Sequence, residues 1–202
     1  MLNPQRFIET LRENNVDFFS GVPDSLLKNV CAYVTDNCDK KHHIIAANEG
    51  GAVGLAAGYY LATGKAGCVY MQNSGEGNAV NPLLSLADED VYGIPMLLLI
   101  GWRGEPGVKD EPQHVKQGKV TLTLLETMEI EYDILAEDEE KVVKQIENAT
   151  KYITQKSKPY ALIVRKGTFA EYQLQNCKDN GCPMAREEAI QIVVDKLRED
   201  DI

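Results

Sequence analysis

The sequence has no long apolar run, no ordered cysteine spacing and no signal-peptide pattern. None of its apolar stretches reaches the roughly 20 residues that a membrane-spanning helix needs. Residues 1–6 lack the charged and apolar regions of a secretion signal. The five cysteines are odd in number and none are spaced as C-x-x-C, which argues against a disulfide framework and against a zinc site. We therefore expect a cytoplasmic protein.

Basic residues are also few. The chain has 21 Lys and Arg against 31 Asp and Glu, for a formal net charge of −10. Nonspecific nucleic-acid binding depends on a basic surface, so this class of function is disfavoured. Salt screens distant charges, so a small anionic substrate remains compatible with a few local cations. The 202 residues suffice for one sizeable core, or for one domain with an appendage.

Apolar strand patterns alternate with helical patterns along most of the chain. This alternation predicts an α/β fold, with an open, mostly parallel six-stranded sheet and helices on both faces. The predicted strands are 16–20, a segment around Ile44, 68–71, 95–100, 132–135 and 160–164. The predicted helices are 3–13, 26–34, a Gly/Ala-rich helix after Asn48, one ending near Asp88, 120–128, 139–154 and 186–197.

The alternation stops near residue 170. We assign 1–169 to the α/β domain, the polar stretch 170–185 to a linker, and 186–202 to the start of a second domain. The chain is thus expected to be part of a larger protein or a separate subunit.

Glu49 is the first candidate for chemistry. It follows an apolar run that predicts a buried strand and precedes a helix rich in Gly and Ala, typical of close packing. Ligands of open α/β sheets bind at the carboxyl ends of strands, where this acid is placed. The alternative is that Glu49 only offsets the dipole of the helix that it begins.

Other turns and one long loop complete the set of candidate site segments. Small-residue turns follow two more strands, at 21–25 and 73–78, but neither is a P-loop and no G-x-G-x-x-G is complete. The continuous apolar strand 95–100 leads into a long polar loop, 101–114, with Trp102 and His114 at its ends. Loops of this length in compact domains are often functional.

These segments together resemble a known family. Taken in order they read Gly21-Val22-Pro23-Asp24-Ser25, Asn48-Glu49-Gly50-Gly51-Ala52, Gln72-Asn73-Ser74-Gly75 with Gly77-Asn78, Gly101-Trp102-Arg103-Gly104 and Asp110-Glu111-Pro112-Gln113-His114. The order is similar to the pyrimidine-binding domain of the thiamine-diphosphate-dependent 2-oxo acid decarboxylases. Within them it resembles the phosphonopyruvate decarboxylases most, and the sulfopyruvate decarboxylases next.

The resemblance implies three catalytic residues. The carboxylate of Glu49 would hydrogen-bond the aminopyrimidine ring of the cofactor and so promote deprotonation of the thiazolium carbon, a task that partial burial of an acid favours. Asp24 would transfer a proton, with the alternative that it caps the next helix. His114 would also transfer a proton, with a surface histidine as the alternative.

The resemblance also implies binding residues. Cofactor contacts are expected from Glu49 and from Asn73, Ser74 and Gly75. Ser25, Arg103 and Lys109 are expected to bind the substrate, with Lys116 a further cation. Arg103 could grip a phosphonate with its two-pronged guanidinium, although Arg103 and the lysines could equally be ordinary solvated charges.

The implied reaction is decarboxylation of 3-phosphonopyruvate to phosphonoacetaldehyde and carbon dioxide, with 3-sulfopyruvate as the alternative substrate. A noncatalytic module of the same fold is the other alternative. The cofactor of this family lies between subunits, so the resemblance implies a homo-oligomer, at least a dimer, with no nucleic-acid or membrane partner.

Two departures from the family pattern stand out. The position between Gly75 and Gly77 commonly carries leucine, and here it is Glu76, which could face water or lie near the cofactor and repel anions. The Gly-Asp-Gly segment that helps to hold the divalent metal does not occur in the sequence. Ligands for Mg2+ and for the diphosphate are therefore expected from another domain or a partner chain.

Overall fold

The computed structural model describes residues 1–176, 181 and 183–201. Within them, six strands form one sheet in the order β2-β1-β3-β4-β6-β5, and every neighbouring pair is parallel. The strands are β1 Phe19–Gly21, β2 His43–Ile45, β3 Gly67–Gln72, β4 Met96–Gly101, β5 Glu131–Ile134 and β6 Tyr160–Val164. The predicted α/β fold is confirmed, and the sheet is fully rather than mostly parallel.

Seven α-helices accompany these strands in the described part of the chain. They are α1 Pro4–Glu13, α2 Lys28–Asn37, α3 Glu49–Thr63, α4 Glu76–Pro82, α5 Pro112–Thr127, α6 Glu139–Lys156 and α7 Arg186–Val194. A 3₁₀ turn, Asn73–Gly75, precedes α4, and a π turn, Leu83–Ala87, follows it. These two turns extend the helical segment almost to Asp88, as the sequence predicts.

The core lies on both faces of the sheet, because alternate side chains of a strand point to opposite sides. Cys68 and Tyr70 of β3 pack in a cluster with residues of α1, α2 and α6. Val69 and Met71 pack in a second cluster with residues of α3, α4 and α5. All six residues of β4 are buried, which confirms the central strand predicted from its continuous apolar run.

Several boundaries differ from those predicted. The first strand begins at Phe19 rather than at residue 16, and α2 begins at Lys28 rather than at 26. The N-cap of α2 is Leu27, without a side-chain hydrogen bond, so neither Asp24 nor Ser25 caps this helix. Asp24 instead accepts the backbone N–H of Leu26 at 2.8 Å, a turn contact two residues along.

The largest difference concerns the loop before α5. This helix begins at Pro112, eight residues before its predicted start, so the loop covers only 102–111. His114 is therefore in the first turn of a helix and not at the end of a loop. Proline at the first helical position starts α5, whereas the polar composition of 112–119 and the glycine at 118 obscured the helical pattern.

The segment before Glu49 was predicted as a buried strand and is a partly exposed one. β2 is at the edge of the sheet, pairs with β1, and leaves Ile45 58% exposed. The helix after it is packed on one face, where Ala52 and Ala56 are fully buried. Gly54 lies on its open side, with no atom within 4 Å of where a Cβ would stand. Close packing of α3 is thus found on one face of the helix.

Two glycines let α5 approach the end of β4. A Cβ on Gly118 would overlap the backbone carbonyl of Gly104, and one on Gly104 would overlap the carbonyl of His114. Gly104 also has a φ of 68°, which disfavours a side chain. Trp102 fixes the same contact, since its indole N–H donates to the carbonyl of Gly118 at 2.8 Å. This close approach positions Arg103, which lies between Trp102 and Gly104.

We expect Gly118→Ala to lower the free energy of unfolding by about 1–3 kcal/mol, the usual cost of forcing a methyl group into a packed site. Urea denaturation followed by circular dichroism measures the change. Gly58→Ala, on the open side of α3, is the matched control and should be neutral or slightly stabilising. Equal stability of the Gly118→Ala variant and the wild type would contradict the close approach.

The tail is described in part. Residues 177–180 and 182, within the predicted linker 170–185, lie outside the described residues. α7 ends at Val194 rather than at the predicted residue 197, and none of its residues is buried. The division into domain, linker and second domain stays a prediction. In the described part of the chain, no helix combines the length and the apolar character needed to cross a membrane.

Candidate active site

The candidate residues lie at the carboxyl edge of the parallel sheet, where ligands of such folds bind. Asp24 and Ser25 follow β1, Glu49 follows β2, and Asn73, Ser74 and Gly75 follow β3. Arg103 follows β4. Two further predicted site residues lie later in the chain: Lys109 in the loop after β4, and His114 in the first turn of α5. The edge therefore brings together most of the residues singled out from the sequence.

Glu49 is the first residue of α3 and is half-buried. The Nδ2 of Asn78 donates to its Oε2 at 2.8 Å. No other hydrogen bond to the Glu49 carboxylate is found among the described residues, so its Oε1 remains available to a ligand. The side chain of the helix N-cap, Asn48, accepts from Gly51 N–H at 2.8 Å and fixes the start of the helix.

Gly75 lies directly against the Glu49 side chain. A Cβ built on Gly75 would stand 2.5 Å from Cδ and Oε1 of Glu49, closer than atoms can approach. The turn after β3 thus forms one wall beside the carboxylate, and only glycine leaves room for it. Ser74, the neighbouring residue, is exposed and accepts from the Nε2 of Gln72 at 2.6 Å.

We expect Gly75→Ala to lower the free energy of unfolding by about 1–2 kcal/mol, because the added methyl group pushes the Glu49 side chain away. Shortening that side chain should relieve the overlap, so the same substitution should cost clearly less in a Glu49→Ala background. A double-mutant cycle from urea denaturation measures this coupling. Equal costs in both backgrounds would show that Gly75 does not contact Glu49.

Asp24 is a buried carboxyl group, 6% exposed. Its Oδ2 faces Gly101, where any Cβ would overlap it. Its Oδ1 is buried without a hydrogen-bond partner. Burial raises the pKa of Asp24, while the backbone N–H groups of residues 25–27 and the charge of Arg103 act in the opposite direction. Asp24 is therefore an acid that retains its proton more readily than an exposed aspartate does.

Arg103 is fixed by two side chains. Its Nε and Nη2 donate to the two carboxylate oxygens of Asp110, at 2.8 and 2.5 Å, and its Nη1 donates to Ser25 Oγ at 2.8 Å. Gly104 N–H also donates to Asp110 Oδ2 at 2.7 Å. The hydrogen bonds from Arg103 and from the backbone N–H of Gly104 hold the pKa of Asp110 below its usual range. The two-pronged face expected to grip a phosphonate is thus occupied by Asp110 in this structure.

Asn73 is fully buried and bonded within the chain. Its Nδ2 donates to the Arg103 carbonyl and to Thr121 Oγ1, both at 2.8 Å, and its Oδ1 accepts from Arg103 N–H at 3.2 Å. It therefore ties the turn after β3 to the residues after β4 and to α5. His114 is half-buried in the first turn of α5, and Lys109 is exposed. The cofactor contact predicted for Asn73, the proton transfer predicted for His114 and the substrate contact predicted for Lys109 stay predictions.

Glu76 is an acidic residue at a buried position, where an apolar side chain is favoured. Its side chain is 1% exposed, and neither carboxyl oxygen has a hydrogen-bond partner. Burial raises the pKa of Glu76 to about 8. The expectation that it could face water is wrong, because the first turn of α4 places it in the interior. At neutral pH it is a predominantly neutral acid.

A cavity of about 420 Å³ opens beside Arg103. Its walls include Ser25 after β1, the start of α2 at Lys28, the Arg103–Asp110 pair and Lys166 after β6. Lys109, predicted to bind substrate, is not among the lining residues. The described residues contain no group of three or more His, Cys, Asp or Glu side chains placed to bind a metal ion. They therefore do not fit a Mg2+ site.

Sequence reasoning missed several residues of this edge. Asn78 and Asp110 stand in the quoted motifs, but nothing in their spacing indicated that they would contact Glu49 and Arg103. Lys28 and Lys166 are exposed lysines 138 positions apart in the chain. The fold alone brings them to the same cavity.

Comparisons with known proteins agree with this architecture. Residues 4–125 match the family model described as thiamine pyrophosphate enzyme, N-terminal TPP binding domain; thiamine pyrophosphate is the same compound as thiamine diphosphate. A solved structure of a thiamine diphosphate-dependent 4-hydroxybenzoylformate decarboxylase from Rhodococcus jostii RHA1 covers 94% of this chain with a TM-score of 0.63. At 19% sequence identity this match shows a likeness of fold alone, and it covers 36% of that chain.

Two kinds of curated relatives differ in length. A phosphonopyruvate decarboxylase from Streptomyces hygroscopicus is 31% identical over 92% of this chain, and that match covers 44% of the relative. A sulfopyruvate decarboxylase subunit alpha from Methanococcus maripaludis is 34% identical over 77% of this chain and 90% of the relative. The chain thus spans less than half of the first relative and most of the second.

Proposed function

Because this chain belongs to the thiamine pyrophosphate enzymes, through their N-terminal TPP binding domain, we propose that it forms the pyrimidine-binding half of a 2-oxo acid decarboxylase. The observation that carries the proposal is the half-buried Glu49 carboxylate, bonded by Asn78 through one oxygen and free at the other.

In this proposal Glu49 binds the cofactor and holds a proton. Its free Oε1 hydrogen-bonds a ring nitrogen of the aminopyrimidine, while Asn78 keeps the carboxylate oriented. The cofactor, when bound, supplies the electron sink that accepts the electrons released by loss of carbon dioxide. Ser74 and Gly75 line the same turn, and Asn73 positions that turn from beneath.

Asp24 and His114 are proposed to move protons. The raised pKa of Asp24 favours the protonated form that a general acid needs, and its Oδ1 has no competing hydrogen bond among the described residues. His114 lies in the first turn of α5, and an imidazole ring can both accept and donate a proton. Both residues lie on elements that begin at the carboxyl edge of the sheet.

The diphosphate and Mg2+ are proposed to bind to a further domain or to a partner chain, completing the site in an oligomer. The lengths of the relatives support this division, because a subunit alpha is matched over 90% of its length and a phosphonopyruvate decarboxylase over 44%.

The substrate is proposed to be 3-phosphonopyruvate, which would yield phosphonoacetaldehyde and carbon dioxide. The names of the Streptomyces relatives and the cationic Arg103 region support this choice. The second candidate is 3-sulfopyruvate, favoured by the match to nearly the whole of a sulfopyruvate decarboxylase subunit alpha.

The test combines the chain with the diphosphate-binding domain, thiamine diphosphate and Mg2+, and compares aldehyde formation from the two acids. Faster turnover of 3-phosphonopyruvate is expected. A preference for 3-sulfopyruvate would support the second candidate, and the absence of aldehyde from both acids in a complex that binds the cofactor would contradict the decarboxylase.

A further inference from the structure

The cavity beside Arg103 has an excess of positive charge in an acidic protein. Lys28, Arg103 and Lys166 line it against one carboxylate, Asp110, while the whole chain carries a formal net charge of −10. Asp110 is already engaged by Arg103 through two hydrogen bonds. Neither lysine forms an ion pair among the described residues, so both charges are left uncompensated in the protein. This arrangement favours an anionic ligand.

The donors in this cavity are partly fixed in advance. Asp110 holds the guanidinium plane of Arg103, and Nη1 of Arg103 donates to Ser25 Oγ at 2.8 Å. Since that oxygen accepts from Arg103, the hydroxyl hydrogen of Ser25 is free to be donated to an anion. Donors that are already oriented lose less conformational entropy on binding, which raises affinity.

The start of α2 adds to the same wall. Leu26, Lys28 and Asn29 line the cavity, and the N-cap of this ten-residue helix, Leu27, makes no side-chain hydrogen bond. The first backbone N–H groups of a helix without such a cap remain available to an anion. This contribution supplements the three cationic side chains and does not replace them.

We propose, resting on the function proposed above, that Lys28 and Lys166 act with the Arg103–Ser25 pair to bind the distal tetrahedral anion of the substrate and select its charge. A phosphonate resembles a phosphate monoester, which carries about −1.5 to −2 charges at pH 7. A sulfonate carries one. Two uncompensated lysines interact more strongly with the ligand of higher charge, so the cavity favours phosphonate over sulfonate.

The lysines proposed here to bind the substrate differ from the one predicted from the sequence. Lys109 is close to Arg103 in sequence, but it is not among the residues lining the cavity. Lys28 and Lys166 are distant in sequence and line it on two sides. Substrate selection would thus depend on one lysine at the start of α2 and one in the turn after β6.

The first experiment measures binding without a 2-oxo acid or a cofactor. Methylphosphonate and methanesulfonate are titrated into the full chain, and the dissociation constants are taken from chemical-shift changes in NMR spectra. We expect methylphosphonate to bind more tightly. Lys28→Gln with Lys166→Gln should weaken it by about tenfold or more, the size expected for loss of charge-assisted hydrogen bonds, and should weaken methanesulfonate less.

Lys151→Gln is the matched control, since it removes one exposed positive charge from α6, outside the cavity. It should change binding by less than about twofold, as a screened distant charge does. Thermal unfolding of each variant confirms that it is folded. An unchanged affinity in the double variant, an equal loss in the control, or no binding of methylphosphonate to the wild type would each overturn the proposal.

The second experiment separates this proposal from the decarboxylase itself. In the complex with the diphosphate-binding domain, the double variant should raise KM for 3-phosphonopyruvate by about tenfold or more. It should leave the exchange rate of the cofactor C2 proton unchanged. Wild-type KM would overturn the lysine assignment alone. Failure of the wild type to accelerate C2 exchange would overturn the proposed function while leaving anion binding intact.

Discussion

Glu49→Gln is expected to slow exchange of the C2 proton of bound thiamine diphosphate by about 100-fold or more, the usual contribution of a positioned acid or base. Glutamine has nearly the same shape, so Gly75 still leaves room for it and the Asn78 contact can form. An amide cannot take up and release a proton as a carboxylate does. The expected loss is therefore one of proton transfer rather than of folding.

The measurement is deuterium exchange at C2, followed by NMR in the complex with the diphosphate-binding domain and Mg2+. Because Glu49 is only half-buried, the free energy of unfolding should change by less than about 0.5 kcal/mol. Glu9→Gln, at a half-buried glutamate of α1 that is not among the candidate site residues, is the control and should exchange normally. Wild-type exchange in Glu49→Gln would refute the role assigned to this carboxylate.

Glu76→Leu is expected to stabilise the protein by about 3 kcal/mol at pH 7, because each pH unit above the ordinary pKa of 4.5, up to the folded-state pKa, adds about 1.36 kcal/mol to the cost of burying this acid. The cause is burial, which raises the pKa of Glu76 from an ordinary 4.5 to about 8. At pH 7 the unfolded chain is ionised at this residue and the folded chain is mostly not. Folding must therefore take up a proton, which costs free energy.

The free-energy cost of burying the Glu76 carboxyl depends on pH. Below about pH 4.5 the Glu76 carboxyl is protonated in both states and carries no such cost. As the pH rises from there to about 8 the cost grows, and above the folded-state pKa it remains constant. The stability difference between Glu76→Leu and the wild type should thus widen across this window.

Urea denaturation at several pH values measures this difference. Glu76→Gln is the matched variant, because it keeps a polar side chain of similar size but cannot ionise. It should remove the added pH dependence while leaving a polar group buried without a partner. If the gap between Glu76→Leu and the wild type were the same at pH 4.5 and at pH 8, the buried acid would not be titrating as described.

The fold was predictable from the sequence because its central strands are buried on both faces of the sheet, and the other strands lie next to them. β4 and β6 read as continuous apolar runs, and Gly and Asn marked several of the turns between elements. The short edge strand β2 was harder to judge. Its two isoleucines suggest burial, but the sequence does not show that β2 is an edge strand with a neighbouring strand on one side only.

The candidate site was predictable in outline only. Glu49, Asp24 and Arg103 follow strands, and the parallel sheet carries the ends of those strands to one edge. Their partners could not be predicted, because the Asp110 contact with Arg103 depends on the path of the loop 102–111. Burial of Glu76 ran against its polarity, and only its place in the first turn of α4 accounts for it.

In the proposed function, this chain contributes the proton-handling carboxylate to a pocket that another domain or a partner chain completes. The most direct measurement is the C2 exchange rate of thiamine diphosphate with Mg2+ in three samples: the chain alone, the diphosphate-binding domain alone, and the two together. We predict fast exchange in the combined sample and rates near that of the free cofactor in the other two. Fast exchange with the diphosphate-binding domain alone would contradict the claim.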